Sequence, residues 1–136
     1  MYKANFKTMY LSLETTDPIT QERTGGKVNT DEFMTAADIL YRVGFTSDQL
    51  HAYILYGLHG QDPEDMLDSI ELCQRLHIHP HLCEFSPIPN TVEYAKTGFT
   101  DATDPLYHNN LFYTWFYPKP KMVLYKKVKQ LLSKKI

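Results

Sequence analysis

The sequence has few of the residues that cross-link a protein or anchor it in a membrane. It contains only two cysteines, Cys73 and Cys83, and neither has a partner at the spacing of a zinc motif. No apolar run approaches the ~20 residues of a membrane-spanning helix. The opening residues MYKANFKTMY have no apolar signal-peptide core. These absences exclude a disulfide-rich secreted domain and predict a cytoplasmic protein with no membrane partner.

Acidic residues are missing from the end of the chain, because every Asp and Glu lies at or before Asp104. Half of the 14 basic residues follow that point, namely Lys119, Lys121, Lys126, Lys127, Lys129, Lys134 and Lys135. A basic helix on an acidic body could bind nucleic acid. We favour the interpretation that the lysines form a solvated helix face that also contacts acidic residues in the rest of the chain. Nucleic acid is therefore not our expected partner.

Length and composition describe one globular domain. The 136 residues are 43% hydrophobic and 13% aromatic, which suffices for a single core but falls short of the ~250 residues of a complete (β/α)₈ barrel. We expect one domain with two parts. Residues 1–103 carry the regular pattern, and residues 104–136 form an aromatic and basic helical segment.

The stretch His51–Pro63, HAYILYGLHGQDP, predicts a strand, a glycine turn and a helix start. Ala52–Tyr56 is an unbroken apolar run, typical of a strand buried on both faces. Gly57 and Gly60 break the run, and Asp62-Pro63 is a helix-capping pair. Backbone N–H groups at such a junction can bind a ligand. Many turns of this kind hold none, so both interpretations stay open.

Two similar units flank this stretch and give the order β-α-β-α-β. The predicted strands are Tyr10–Glu14, Ala52–Tyr56 and His81–Phe85, with helices at 31–43 and 63–77 between them. Connections of this length give right-handed parallel crossovers, so both helices should lie on one side of the sheet. The fold class is therefore α/β, and Cys73 is interpreted as a small core residue.

Two groups of polar residues are candidates for chemistry. On the first strand Ser12 and Glu14 share a face near its carboxyl end, where they could bind sugar hydroxyls, unless Glu14 is merely a rim residue. His77, His79 and His81 alternate like metal ligands on a strand. Pro80 interrupts them at a helix-to-strand junction, so we assign no metal ligand.

The final segment is rich in aromatic residues, namely Tyr107, Phe112, Tyr113, Trp115, Phe116 and Tyr117, and it precedes a predicted helix over 122–132. Aromatic side chains interleaved with lysines could stack nucleic-acid bases. We favour the alternative that they cover apolar surface at the end of the chain.

Three motifs in this order resemble the C-terminal half of a radical S-adenosylmethionine (SAM) enzyme barrel. They are LSLET with the Thr24-Gly25-Gly26-Lys27 loop, AYILYGLHGQ and CEFSPIPNT, with a looser match at DPLYHNN. The resemblance covers about Tyr10–Asn110, and its nearest group is the radical SAM proteins that often carry a cobalamin-binding domain. It implies a partial TIM-type barrel whose strands four to six are the three parallel βα units of this chain.

The resemblance also implies cofactor contacts. Ser12 and Glu14 match the fourth-strand position that contacts the SAM ribose, and Lys27 could reach the SAM carboxylate. The positions near the adenine are matched by Tyr56, Gly57 and Leu58 on the fifth strand and by Phe85, Ser86 and Pro87 on the sixth.

The sequence departs from the family pattern at three places. His59, Gln61 and Asn90 stand where the family has proline, an acidic residue and glycine. The CxxxCxxC motif that binds the [4Fe–4S] cluster is missing, and without a cluster no reductive cleavage of SAM can occur. The resemblance therefore implies a protein that is not a competent enzyme alone and binds SAM weakly if it binds it.

Two functional hypotheses follow. The chain is the SAM-contacting half of a split or truncated enzyme, with the cluster supplied by a partner chain, or it is a non-catalytic remnant or interaction module. A half barrel exposes a strand edge and an inner face that bears residues such as Tyr53 and Leu55. We therefore expect a homo-oligomer or a complex with a cluster-bearing half barrel.

Overall fold

A computed structural model describes residues 2–109 and 119–133 of the chain. Most of the aromatic residues that were predicted to cover apolar surface lie outside the described residues, and so do the last two lysines. These residues are Phe112, Tyr113, Trp115, Phe116, Tyr117, Lys134 and Lys135.

The centre of the fold is a parallel sheet with the order β1-β2-β3. The strands are Met9–Glu14 (β1), Leu50–Tyr56 (β2) and His79–Glu84 (β3). Met9 pairs with Leu50 in a parallel register between β1 and β2. This arrangement confirms the predicted α/β fold class, and it is consistent with part of a barrel.

Five helices accompany the strands in the described residues: α1 (Pro18–Arg23), α2 (Thr30–Arg42), α3 (Pro63–Arg75), α4 (Val92–Ala95) and α5 (Lys119–Ser133). Short 3₁₀ helices occur at Tyr2–Ala4, Ser47–Gln49 and Pro105–His108. Helices α2, α3 and α5 were predicted with ends that differ by at most three residues, whereas α1 and α4 were not predicted. No helix in the described ranges is long and apolar enough to cross a membrane.

Local capping explains where the first two helices begin. Asn29 and Glu32 form a reciprocal capping box at the start of α2, which satisfies backbone donors that the helix leaves free. Asp17 accepts from the backbone N–H of Ile19 and Thr20 at the start of α1. The Thr16-Asp17-Pro18 sequence therefore ends β1 and starts a helix directly.

Only one face of β2 is buried, which corrects the prediction that Ala52–Tyr56 is buried on both faces. Ala52 and Ile54 are fully buried, whereas Tyr53 is 40% exposed. Right-handed crossovers between neighbouring strands place α2 and α3 on the same side of the sheet. The residues that alternate with the buried ones therefore lack a covering layer from these helices.

The described chain divides into two compact units. The first comprises Met1–Leu55 and Glu64–Cys83, and the second comprises Tyr56–Pro63 and Glu84–Ile136. The first unit holds most of the sheet, and its core includes Leu13, Phe33, Leu50 and Cys73; the burial confirms Cys73 as a core residue. The proposed division after residue 103 stays a prediction.

Candidate functional site

Glu14 is the last residue of β1 and has a left-handed backbone, with φ of 61°. The pairing of β1 with β2 shifts register between Ser12 and Glu14. A residue with a Cβ in this conformation costs about 1–3 kcal/mol, and such strain is concentrated at functional positions. The Ser12 hydroxyl donates to the Glu14 carboxylate at 3.5 Å, and both side chains are half-buried. The structure thus pairs a hydroxyl with a carboxylate at the carboxyl end of β1.

Lys27 lies in the loop between α1 and α2, and its side chain is exposed. The loop reaches it through Gly25 and Gly26, whose φ values of 108° and 60° are left-handed. Glycine adopts such backbone angles without the steric cost that a Cβ brings. The ammonium group is therefore carried on a solvent-facing loop of the first unit.

The glycine turn after β2 is closed by a side chain of its own. The Gln61 side-chain oxygen accepts hydrogen bonds from the backbone N–H of Gly57 at 2.8 Å and of Leu58 at 3.2 Å. Gln61 is only 2% exposed, and Gly57 has φ of 93°. The N–H groups that the sequence offered as ligand donors are therefore bonded within the turn.

Tyr56 begins the second unit and is buried, although its ring bears a polar end. Its hydroxyl donates to the Glu84 carboxylate, which also accepts from the Lys129 ammonium on α5. The same ammonium lies 5.1 Å from the centre of the Tyr56 ring. A cation beside both a carboxylate and an aromatic ring is held by ion pairing and by the ring quadrupole. Tyr56 is thus fixed by a charged contact to α5.

The residues after β3 continue the second unit. The backbone N–H of Phe85 donates to the carbonyl of Tyr56 at 2.9 Å, which joins the two strand ends directly. Phe85 is half-buried, Ser86 is exposed and Pro87 is fully buried. The structure therefore brings the predicted adenine-side residues of the fifth and sixth strands together.

Asn90 and His59, which stand where the family pattern has glycine and proline, are both exposed. Asn90 has φ of 68°, and asparagine tolerates this left-handed region better than most residues that carry a Cβ. His59 lies in the turn between Gly57 and Gly60 and points to solvent. Asn90 thus meets the backbone requirement that explains a glycine at this place.

The nine predicted contacts divide between the two units. Ser12, Glu14 and Lys27 belong to the first, and the other six (Tyr56, Gly57, Leu58, Phe85, Ser86 and Pro87) belong to the second. Within each unit the structure brings together Ser12 with Glu14, and Tyr56 with Phe85.

The cysteines do not fit an iron–sulfur cluster. Cys73 is fully buried on α3, and burial raises the pKa of its thiol to about 12. Cys83 is half-buried on β3. A cluster needs several thiolates on one loop, so these two residues do not form its site.

A cluster of rings on the exposed side of the sheet was missed by the sequence reasoning. His51 on β2 and His81 on β3 approach to 2.8 Å between Nδ1 and Nε2. Tyr10 stacks on His51 with 4.8 Å between ring centres and on Tyr53 with 5.1 Å. His79 lies 5.3 Å from His51. The alternation of side chains along each strand indicated which rings share a face of the sheet. The contact between His51 and His81 could be predicted only with the pairing of β2 and β3.

In the histidine cluster, defined as His51, His79 and His81, the surroundings of His51 disfavour its protonated form. Partial burial, followed by the charges of His81 and His79, lowers the pKa of His51. As the side chains stand, the described ranges contain no group of three or more His, Cys, Asp or Glu residues arranged to hold a metal ion.

Comparisons with known proteins agree with this fold. The profile of the radical SAM superfamily matches residues 1–73. A GTP 3',8-cyclase of Gloeobacter violaceus is 26% identical over 102 residues, which cover 75% of this chain but 30% of the relative. The chain thus spans less than a third of that protein's length. No solved structure matches it. Because the family profile covers more than half of the residues, including all of β1, α2 and β2, the chain belongs to the radical SAM superfamily.

Proposed function

We propose that this chain supplies the part of a radical SAM barrel that contacts the ribose and adenine of SAM. It reaches activity only together with a cluster-bearing partner chain. The observation that carries the proposal is the strained Glu14, which stands at the carboxyl end of β1 with φ of 61°. Ligands of parallel α/β folds bind beyond the carboxyl ends of the strands. From the three matched motifs we further propose that the chain belongs to the cobalamin-associated subgroup.

The ribose contact is assigned to Ser12 and Glu14. A carboxylate accepts hydrogen bonds from the two neighbouring hydroxyls of a ribose, and a serine hydroxyl can both donate and accept. Their separation of 3.5 Å shows that both side chains reach one point. Charge-assisted hydrogen bonds are the stronger kind, so Glu14 should contribute most of the ribose affinity.

The adenine side is assigned to the second unit. Leu58 is 1% exposed and Pro87 is fully buried, so both would support the base from beneath rather than offer it an open surface. Next to them, the carbonyl of Gly57 and the backbone of Ser86 would provide polar edges for a base, since the Gly57 N–H is already bonded to Gln61. Lys27 is assigned to the SAM carboxylate, because an exposed lysine on a glycine loop can reach an anion without strain.

Calorimetric titration with SAM tests the assignment. Replacing Glu14 with Gln keeps its size and removes the charge, and we expect the affinity to fall about tenfold or more. The matched control is Glu22→Gln, on the exposed surface of α1, which should bind as the wild type does. Equal affinity of the Glu14 variant and the wild type would remove Glu14 from the site.

A second experiment tests the dependence on a partner. After anaerobic treatment with iron and sulfide, the purified chain should show no iron–sulfur absorbance and should not form 5′-deoxyadenosine from SAM. The reason is that Cys73 and Cys83 lie on different elements, and the first is buried. Formation of deoxyadenosine by this chain alone would contradict the proposal.

The exposed sheet face favours one alternative, a non-catalytic interaction module that associates with itself. Tyr10 is 50% and Tyr53 is 40% exposed, and their rings stack. Exposed aromatic surface and free strand edges are templates for association. Light scattering after size exclusion, over about a tenfold range of concentration, would show a concentration-dependent dimer. A monomer throughout would refute this alternative.

A further inference from the structure

The histidine cluster lies at the other end of the strands from Glu14, a proposed SAM contact of the same unit. His51 is the second residue of β2, and His79 and His81 open β3. Tyr10 pairs with His51 in the register of the sheet, whereas Glu14 lies at the opposite end of β1. The amino ends of parallel strands are the stability face of a barrel, and chemistry occurs at the carboxyl ends. A ligand at the cluster would therefore be separate from SAM.

We propose that His51 and His81 together bind one divalent transition-metal ion of the zinc and nickel class, which joins β2 to β3. The two imidazoles supply two ligands, and water supplies the others. This inference does not rest on the proposed function, because neither His51 nor His81 is a proposed SAM contact.

The distance between the two rings carries the proposal. His51 Nδ1 and His81 Nε2 lie 2.8 Å apart and face each other. Two imidazole nitrogens on a tetrahedral zinc ion, each about 2.0–2.1 Å from the metal, are about 3.3 Å apart. An opening of roughly half an ångström is therefore enough to admit the ion. The exposed His81 ring can move by that amount through a small rotation, while the half-buried His51 ring stays in place. The ion would then take the place of the proton between the two nitrogens, and the ring that donated it would carry its N–H on its other nitrogen.

The surroundings suit imidazole ligands. Tyr10 stacks on His51 at an interplanar angle of 21°, which restricts the orientation of that ring. His51 and His81 have ring centres 4.9 Å apart, and His79 lies 5.3 Å from His51, where it could become a third ligand after rotation. Imidazole nitrogens are the commonest protein ligands of such ions. Two donors that already face each other lower the cost of binding.

Zinc titration of the chelator-treated full chain tests the site. By calorimetry we expect one Zn²⁺ per chain, and loss of either imidazole in His51→Gln or His81→Gln should weaken binding about tenfold or more, because the chelate is lost. His59→Gln is the matched control, since His59 is exposed and outside the cluster, and it should bind as the wild type does. Mg²⁺ should not bind, because it prefers oxygen ligands.

Nuclear magnetic resonance of the wild-type histidine rings gives a readout that does not depend on how the variants fold. Zn²⁺ should shift the ring nitrogens of His51 and His81 together at one equivalent and leave those of His59 unchanged. Binding that is equal in wild type and His51→Gln would overturn the proposal. So would zinc shifts that are spread over all six histidines.

Discussion

Replacing Gln61 should destabilise the chain more than its place in a loop implies. Its side-chain oxygen accepts from the buried backbone N–H groups of Gly57 and Leu58. In Gln61→Leu the volume stays similar but the acceptor is lost, so both donors are left unsatisfied in a buried turn. The substitution therefore measures the hydrogen bonds with little contribution from a cavity.

The magnitude follows from the two contacts. An unsatisfied buried backbone donor costs about 1–3 kcal/mol. The bond to Gly57 is 2.8 Å and the bond to Leu58 is 3.2 Å, so the second contributes less. We expect Gln61→Leu to lower the free energy of unfolding by about 2–4 kcal/mol. Gln61→Glu keeps an acceptor but buries a charge, and it should be destabilised as well.

Urea denaturation followed by circular dichroism measures this change. With a slope of about 1–3 kcal/mol per molar urea, the midpoint of Gln61→Leu should fall by roughly 1–2 M. Gln74→Leu, on the exposed surface of α3, is the control and should change stability by less than about 0.5 kcal/mol. A midpoint for Gln61→Leu equal to that of the control would refute the reasoning.

Two further predictions concern titrating groups. At pH 8 a thiol reagent should modify Cys83 in the folded chain and reach Cys73 only after unfolding, because burial raises the pKa of Cys73 to about 12; equal rates would contradict this. Hydrogen bonds, the largest of them with Thr20, lower the pKa of the Asp17 carboxyl. The stability that Asp17 contributes is therefore present above the unfolded pKa of about 3.9 and is lost as the pH falls through the folded pKa. Asp17→Ala should therefore lower the free energy of unfolding by about 0.5–2 kcal/mol at pH 7 and by less near pH 2. A stability difference from the wild type that does not change with pH would argue against the cap.

The order and direction of the main elements could be predicted because their signals are local. Asn29 and Glu32 form the capping box that the sequence suggests, and α3 begins at Pro63 as expected. Apolar runs separated by helix-length segments indicate parallel strands without any knowledge of long-range contacts. The short helix α1 was missed, since Asp17-Pro18 was interpreted only as a strand end when it is also a cap.

The burial of β2 and the histidine cluster could not be predicted in the same way. In Ala52–Tyr56 every residue is apolar or aromatic, so the run has no period that distinguishes a covered face from an uncovered one. His51 and His81 are 30 residues apart, and their contact depends on the register of two strands. The sequence offered His77 as a third member, but that residue has φ of 53° after α3 and precedes β3.

The carboxyl ends of β1 and β2 differ in what they can offer a ligand. Around Gly57 the backbone donors are bonded to Gln61, so an anion there would have to displace a buried side chain and break two hydrogen bonds. Within the described residues the Glu14 carboxylate has one hydrogen bond, from Ser12 at 3.5 Å, and its backbone is strained. A ligand that bonds to Glu14 would use a group that the fold leaves largely available, at a position where strain persists only if the surroundings maintain it. The glycine turn after β2, which the sequence indicated as a ligand site, thus uses its backbone donors for its own hydrogen bonds. Recognition of SAM should therefore depend first on Glu14 at the end of β1.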